Sequence, residues 1–174
     1  MQAPNDISIE KGFSELSVKT PYSWEFVDAV KNKLGGSWDP ETGAWILPLA
    51  AEKALRKTLI SIFGKDDQPT ELCNVHIKVL SQYEAVGRSV EWWGRTIAKA
   101  RNRDSGATVP RNAGVAFLTG EPHSGGSRAR WKTIIDAGSE IEVYNVPVRA
   151  VFSRRYKGIE VTVLDEKGEK IGIH

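Results

Sequence analysis

The sequence contains one cysteine, Cys73, one methionine and three histidines among 174 residues. A single cysteine cannot form an internal disulfide, which agrees with a reducing compartment. No apolar run approaches the roughly 18 residues that are needed to cross a bilayer. The first residues, MQAPNDISIEKG, lack the basic start and the apolar stretch of a secretory signal. We therefore expect a cytoplasmic protein that has no membrane partner.

The same scarcity argues against a metal centre or a catalytic centre. Cys73 and His76 form one C-x-x-H pair, but no second pair of zinc-type ligands accompanies it. A nucleophilic dyad of Cys73 with a histidine remains open, although a cysteine beside a strand is more often part of the core. His123, beside Ser124 and Ser127, is in the one polar cluster that suits catalysis. We expect no catalytic residue, no metal and no cofactor, and hence a protein that is not an enzyme.

Positive charge, by contrast, is concentrated in one part of the sequence. Residues 1–66 carry 8 Lys and Arg against 9 Asp and Glu, a net charge of −1, whereas residues 72–174 carry 16 against 11, a net charge of +5. Within residues 88–132 the count is 9 against 3, a net charge of +6. Such asymmetry indicates a polyanionic partner.

The first 66 residues alternate between strand and helix signals. Residues 13–19 alternate as a strand does, and Ser23 is a suitable N-cap for a helix that ends at Gly35. Residues 37–47 contain a Pro- and Gly-bearing turn, which predicts a hairpin across which Trp38 and Trp45 pair. A second helix is expected over residues 50–63, up to Gly64.

The predicted fold class is α+β, with two modules. Residues 1–66 would form an αβ module of strand, helix, hairpin and helix, and residues 67–71 a polar, proline-containing linker. Residues 72–174 carry short alternating segments that predict a mostly β module, either a small barrel or a curled sheet. The expected strands of this module are residues 74–80, 115–118, 140–146, 158–164 and 170–173.

The segment 89–101 is ambiguous, and we favour one continuous strand over a helix. On a strand, Arg95, Lys99 and Arg101 share a face and could follow a phosphate backbone, while a tryptophan offers a stacking platform. Trp92 and Trp93 are adjacent and must point to opposite faces, so at most one of them is expected to be exposed. The alternative is a solvated basic face with both tryptophans in the core.

Two long loops rich in Gly, Ser and Arg are expected, over residues 102–114 and 121–130. The stretch 120–127 has the glycine spacing and final serine of a P-loop, but Gly126 replaces the lysine that the motif requires. Its glycines and serines could instead form a nest of backbone N–H groups that binds an anion, with charge from Arg128 and Arg130. The alternative is a flexible, solvated loop.

Together these arguments give a set of candidate nucleic-acid-binding residues. They are Trp93, Arg95, Lys99, Arg101, Arg103, Arg111, Ser124, Gly125, Gly126, Ser127, Arg128, Arg130, Trp131 and Lys132.

Two resemblances add context. The segment Trp38-Asp39-Pro40 followed by Trp45 resembles the W-D-P-x-x-x-x-W hairpin of HARP-type modules, and the likeness extends over residues 12–64. Such modules accompany DNA-remodelling annealing helicases, whose ATPase motors have no counterpart in this sequence, and similar segments occur in proteins of bacterial mobile elements. Residues 88–150, with Gly94-Arg95 and the stretch 124–128, look like uncharacterised plasmid and phage accessory proteins. Both resemblances imply a bacterial, DNA-related context.

The sequence therefore predicts a non-enzymatic DNA-binding accessory protein of phage or plasmid type. Long basic loops, with no recognition helix before them, favour single strands, junctions or DNA ends over groove readout. The alternative from another class is an inhibitor or adaptor that targets a host defence complex or a nucleic-acid-processing complex. An enzyme acting on nucleic acid is the third hypothesis, and the absence of clustered carboxylates argues against it.

Overall fold

The structure, a computed structural model, describes residues 6–173 and is mostly β. Strands make up 42% and helices 18% of it, and the strands form four antiparallel sheets. The strands are β1 Ser8–Lys11, β2 Glu15–Lys19, β3 Ser37–Asp39, β4 Ala44–Pro48, β5 Leu72–Val79, β6 Tyr83–Val86, β7 Val90–Trp92, β8 Arg95–Ala100, β9 Ala107–Thr108, β10 Val115–Thr119, β11 His123–Gly126, β12 Trp131–Ile135, β13 Glu140–Pro147, β14 Ile159–Leu164 and β15 Lys170–Ile173. The helices are α1 Trp24–Asn32, α2 Glu52–Phe63, which follows a 3₁₀ turn at Leu49–Ala51, and α3 Val148–Ser153.

The predicted α+β class with a strand-helix-hairpin-helix module is therefore wrong. Strand β1, which the sequence analysis did not predict, pairs with β2, and the first sheet has four strands in the order β1-β2-β4-β3. The remaining strands form three sheets, in the orders β10-β13-β5-β14-β15, β11-β12-β6 and β7-β8-β9. Antiparallel pairing thus dominates the whole described chain, and the helices cover parts of it.

Several local signals in the first sheet nevertheless have the expected physical effect. The Ser23 hydroxyl accepts a hydrogen bond from the Phe26 N–H at 3.3 Å and caps α1. Helix α2 ends at Gly64, whose φ of 76° is the left-handed conformation that glycine tolerates best. Trp38 and Trp45 face each other across the β3–β4 hairpin, with ring centroids 5.3 Å apart.

The described residues bury two separate apolar clusters. The first cluster packs α1 and α2 against the four-stranded sheet, and it includes Leu16, Val18 and Phe26. The second draws on the five-stranded sheet and on the three-stranded sheets, and it includes Ile77 of β5 and Trp92 of β7. Strand β5 is central to it because β5 pairs with β13 on one side and with β14 on the other.

The segment predicted as one strand over residues 89–101 is instead a hairpin of β7 and β8. Trp92 pairs with Arg95, and the two residues between them, Trp93 and Gly94, have φ values of 52° and 71°. A type I′ turn requires positive φ at both of its central residues. Hairpins favour this turn because its twist matches that of the paired strands.

Close contacts join the first 64 residues to the rest of the chain. The Arg154 guanidinium pairs with both carboxylate oxygens of Glu25, at 2.5 and 2.9 Å. A Cβ on Gly94 would overlap the Phe63 ring, and one on Gly64 would overlap the Ala150 Cβ. The seam between the two parts is therefore packed too closely for side chains at these glycines.

Across residues 6–173, no helix is both long enough and apolar enough to span a membrane.

Substituting Gly64→Ala tests this packing. A Cβ at this position would meet the backbone nitrogen of Ala150 at 2.9 Å. The alanine would also have to adopt the left-handed conformation of Gly64. We expect a loss of about 1–2 kcal/mol from the conformation and about 1–3 kcal/mol more from overpacking. The free energy of unfolding, measured by denaturant titration, gives the value.

The matched control is Gly106→Ala, since Gly106 has a φ of 69° but nothing within 4 Å of its Cβ position. That variant should show the conformational cost alone. Equal losses in the two variants would show that the contact with Ala150 does not limit packing at this seam.

Candidate nucleic-acid interface

A groove with basic and aromatic walls opens where the start of α1 meets β8 and β12. Its volume is about 380 Å³. We call it the aromatic groove, and the side chains that give it its character are Tyr22, Trp24, Arg88, Lys99, Arg101 and Trp131.

Cations lie over the aromatic rings of this groove. The Arg88 guanidinium carbon is 4.1 Å from the centroid of the Trp24 ring, and the Lys99 Nζ is 5.3 Å from that of Tyr22. Attraction between a cation and the ring quadrupole favours both arrangements. The Tyr22 side chain is 60% exposed, so an aromatic surface remains available to a ligand.

The cations of the groove are not neutralised by the protein. Arg88, Lys99 and Arg101 are exposed, and no carboxylate in the described part of the chain lies within ion-pair distance of them. Asp28 is the acidic residue that lines this groove. Three cations against one carboxylate give the groove a positive potential, which attracts anionic ligands.

A buried carboxylate fixes the aromatic wall in place. Glu91 on β7 is 8% exposed and accepts hydrogen bonds from the Ser23 hydroxyl at 3.0 Å and the Trp24 N–H at 2.8 Å. The indole Nε1 of Trp24 also donates to the Ser89 carbonyl at 3.2 Å. The start of α1, and with it the wall that carries Tyr22 and Trp24, is thereby held on the β7–β8 hairpin.

Burial raises the pKa of Glu91 to about 7, against the opposing effect of the hydrogen bonds from Trp24 and Ser23. The carboxylate form is therefore unfavourable in the folded protein, because desolvation destabilises its charge more than the two hydrogen-bond donors stabilise it.

The structure brings three of the sequence-predicted residues, Lys99, Arg101 and Trp131, together in the aromatic groove. Trp93 is elsewhere and is 4% exposed: its N–H donates to the Tyr156 hydroxyl at 2.8 Å, and its indole packs edge-on against that ring. Trp92 is fully buried as well, so neither of the adjacent tryptophans is free to stack, as in the alternative that places both of them in the core.

The glycine-rich stretch is a strand and not a loop. Gly125 and Gly126 belong to β11 and pair with Lys132 and Trp131 of β12, and the Ser127 N–H donates to the Arg130 carbonyl at 3.3 Å to close the hairpin. The predicted anion nest is therefore not formed, since strand pairing and the turn use this backbone.

Ser124, on the same strand, serves a neighbouring loop. Its hydroxyl donates to the Arg103 carbonyl and accepts from the Gly106 N–H, both at 2.8 Å. The hydroxyl therefore ties β11 to the turn after β8.

The remaining predicted cations are dispersed. Arg103 pairs with Asp104 at 2.9 Å, and Lys132 pairs with Glu84 at 2.6 Å. Arg128 and Arg130 are exposed near the turn between β11 and β12. Arg95 and Arg111 line a second, larger cavity, which shares Tyr22 and Lys99 with the aromatic groove.

Sequence reasoning did not identify Tyr22, Trp24 or Arg88 as site residues. Tyr22 and Trp24 precede or begin a helix in an acidic part of the chain, and only tertiary contact with Glu91 brings them to the basic part. Arg88 did lie within the basic segment, and its position directly before a strand was the one signal available.

The polar cluster around His123 has no catalytic geometry. The His123 Nε2 lies 3.0 Å from both carboxylate oxygens of Asp136, and this contact raises the pKa of the imidazole. The Ser124 hydroxyl is hydrogen-bonded to backbone groups. Among the described residues, no group of three or more His, Cys, Asp or Glu side chains could hold a metal ion.

Comparisons with known proteins found no protein-family model, no curated protein and no solved structure that matches the chain. The resemblance of residues 12–64 to HARP-type modules, and that of residues 88–150 to mobile-element proteins, therefore stay predictions.

The raised pKa of Glu91 predicts a pH dependence of stability. A carboxyl with a raised pKa in the folded state contributes stability that is complete below its unfolded value near 4.5 and is lost as the pH rises through about 7. We expect the wild type to lose up to about 3 kcal/mol of folding free energy from this group over that range. Glu91→Gln mimics the protonated acid and should show a flatter profile.

Urea titrations of both proteins from pH 5 to 8 measure the effect. The contact with Asp136 also raises the pKa of His123, so the stability from that contact likewise falls as the pH rises, and the difference between wild type and variant is the relevant quantity. Parallel profiles for the two proteins would show that Glu91 does not titrate there.

Proposed function

We propose that this protein binds single-stranded nucleic acid, and favours DNA, through the aromatic groove, without catalysing a reaction. The observation that carries the proposal is the convergence of unpaired cations with partly exposed aromatic rings in one groove. Arg88, Lys99 and Arg101 would contact successive phosphates, while Tyr22 and Trp131 would receive unpaired bases. Basic grooves that track the backbone and aromatic platforms that stack bases are the two parts of sequence-tolerant single-strand binding.

The aromatic side chains of the groove favour single strands over duplex. In a duplex the base faces are stacked on one another and are not available to protein aromatics, whereas unpaired bases can be splayed out and stacked. The Arg88 guanidinium offers a further stacking surface, because a planar guanidinium can itself stack on a base. Helix α1 lines the groove through Trp24 and the acidic Asp28, so it does not present a basic face suited to a major groove.

The resemblances to HARP-type modules and to mobile-element proteins support DNA as the natural ligand and an accessory role in phage or plasmid biology.

Removing the three groove cations tests the electrostatic part of the proposal. The combined variant Arg88→Ala, Lys99→Ala and Arg101→Ala should bind a labelled oligonucleotide at least tenfold more weakly at low salt. The slope of log affinity against log salt should fall in magnitude by about 2, since each phosphate contact on a single strand contributes roughly 0.7. Fluorescence anisotropy at several salt concentrations gives both values.

The matched control removes the same charge elsewhere, with Lys57→Ala, Arg155→Ala and Lys157→Ala. These residues are exposed and line neither cavity. If the control loses as much affinity as the groove variant, the binding is a diffuse effect of net charge and the groove is not the site.

Stacking is tested separately by Trp131→Ala. If a base stacks on this indole, the variant should lose about 1–3 kcal/mol of binding free energy for the oligonucleotide, and the salt dependence should be unchanged. The control is Trp38→Ala, which removes a 51% exposed tryptophan from the β3–β4 hairpin outside the groove. Affinity for single-stranded and duplex oligonucleotides of equal length should be measured for both variants. Undiminished single-strand affinity in Trp131→Ala would exclude this ring as a platform.

A further inference from the structure

A cavity larger than the aromatic groove lies beside it. Its volume is about 940 Å³, within the range of about 300–1,000 Å³ that is usual for ligand pockets. Tyr22 and Lys99 line both spaces, so a ligand in one continues directly into the other.

Arg95 lines the cavity with a guanidinium that the protein orients but does not neutralise. The side chain of Arg95 donates to the carbonyls of Tyr144 and Asn145, which leaves other N–H donors of the fork unused. No carboxylate in the described chain lies within ion-pair distance of it. Burial lowers the pKa of Arg95 to about 10, which leaves it charged at neutral pH.

The other charged groups around the cavity make it cationic. Lys65 pairs with Asp6 at 3.2 Å, and that pair carries no net charge. Lys99 and Arg111 are exposed at the cavity, and neither has an acidic partner among the described residues. Three positive charges therefore line one cavity with no compensating carboxylate among the described residues.

The backbone around this cavity is unusual as well. The described residues other than glycine with a positive φ are Trp93, Asn112 and Asn145, at 52°, 59° and 56°, and all three line it. A left-handed conformation is costly for a residue as bulky as tryptophan. Residues held in such conformations cluster at ligand sites, where the surrounding structure enforces them.

From the oriented guanidinium, the unpaired cations and the enforced backbone, we infer that this cavity binds a phosphate monoester. Taken with the proposed function, on which this assignment rests, the monoester is the terminal phosphate of the strand that occupies the aromatic groove. A terminal monoester carries about −1.5 to −2 charges at pH 7, against one for an internal phosphodiester. A guanidinium fork can also bind two of its oxygens at once. The protein is thus a reader of phosphorylated strand ends.

Three oligonucleotides of one sequence, with an internal label, test this inference: one has a 5′-phosphate, one a 3′-phosphate and one hydroxyls at both ends. We expect one phosphorylated end to bind about tenfold more tightly than the hydroxyl form. Arg111→Ala should abolish this preference, which is the ratio of the affinities for the phosphorylated and hydroxyl forms, since Arg111 lines the larger cavity and not the aromatic groove. Arg128→Ala, an exposed arginine that lines neither space, should keep the preference.

Arg95→Gln should also abolish the preference, and its circular dichroism shows whether the fold survives; Arg111→Ala decides the matter if it does not. At low concentration, a free deoxynucleoside 5′-monophosphate should displace the phosphorylated oligonucleotide but not the hydroxyl form. Equal affinity for all three oligonucleotides would overturn the inference and leave the proposed function standing. Binding of the mononucleotide, dependent on Arg111, without binding of any oligonucleotide would support the phosphate site and overturn the proposed function.

Discussion

Helix α1 is held on the β7–β8 hairpin by one buried carboxylate, that of Glu91, and both cavities lie along the seam that this contact closes. The carboxylate accepts the Trp24 N–H at the start of the helix, where the helix dipole favours negative charge. Tyr22 and Trp24 thereby come to face cations that are more than sixty residues away in sequence. Together with the hydrogen bond from the Trp24 indole to the Ser89 carbonyl, this contact brings the aromatic wall and the basic wall into one groove.

Local chemistry was sufficient to predict several elements of the fold. The Ser23 cap, the end of α2 at Gly64 and the Trp38–Trp45 pair each depend on residues within a few positions of one another, so a short sequence window contains their cause. The alternating residues of β5 were recognised for the same reason, because Val75, Ile77 and Val79 share the buried face. The concentration of positive charge in residues 88–132 likewise supplied Lys99 and Arg101 of the aromatic groove.

The errors came where distant residues decide the outcome. The Trp93–Gly94 turn divides the expected strand, and Trp93 is held at positive φ by Tyr156 and Arg154, which no local pattern reveals. Gly125 and Gly126 suited an anion nest by composition, but β12 supplies a partner strand and uses their backbone. The α+β class failed because β1 and the short pairings of the later sheets outweigh the helices, and short strands carry weak sequence signals.

The ion pair of Arg154 with Glu25 joins residues 129 positions apart in sequence, and this separation orders events during synthesis. The first apolar cluster draws only on residues 7–63, so it can condense while later residues are still being added. The aromatic groove needs Trp131 from β12, and its seam is completed by Arg154 after α3. Contacts between such distant residues form late, because the intervening chain must first be closed into a loop. The amino-terminal part of the nascent chain can therefore fold before the residues that complete the groove have been added.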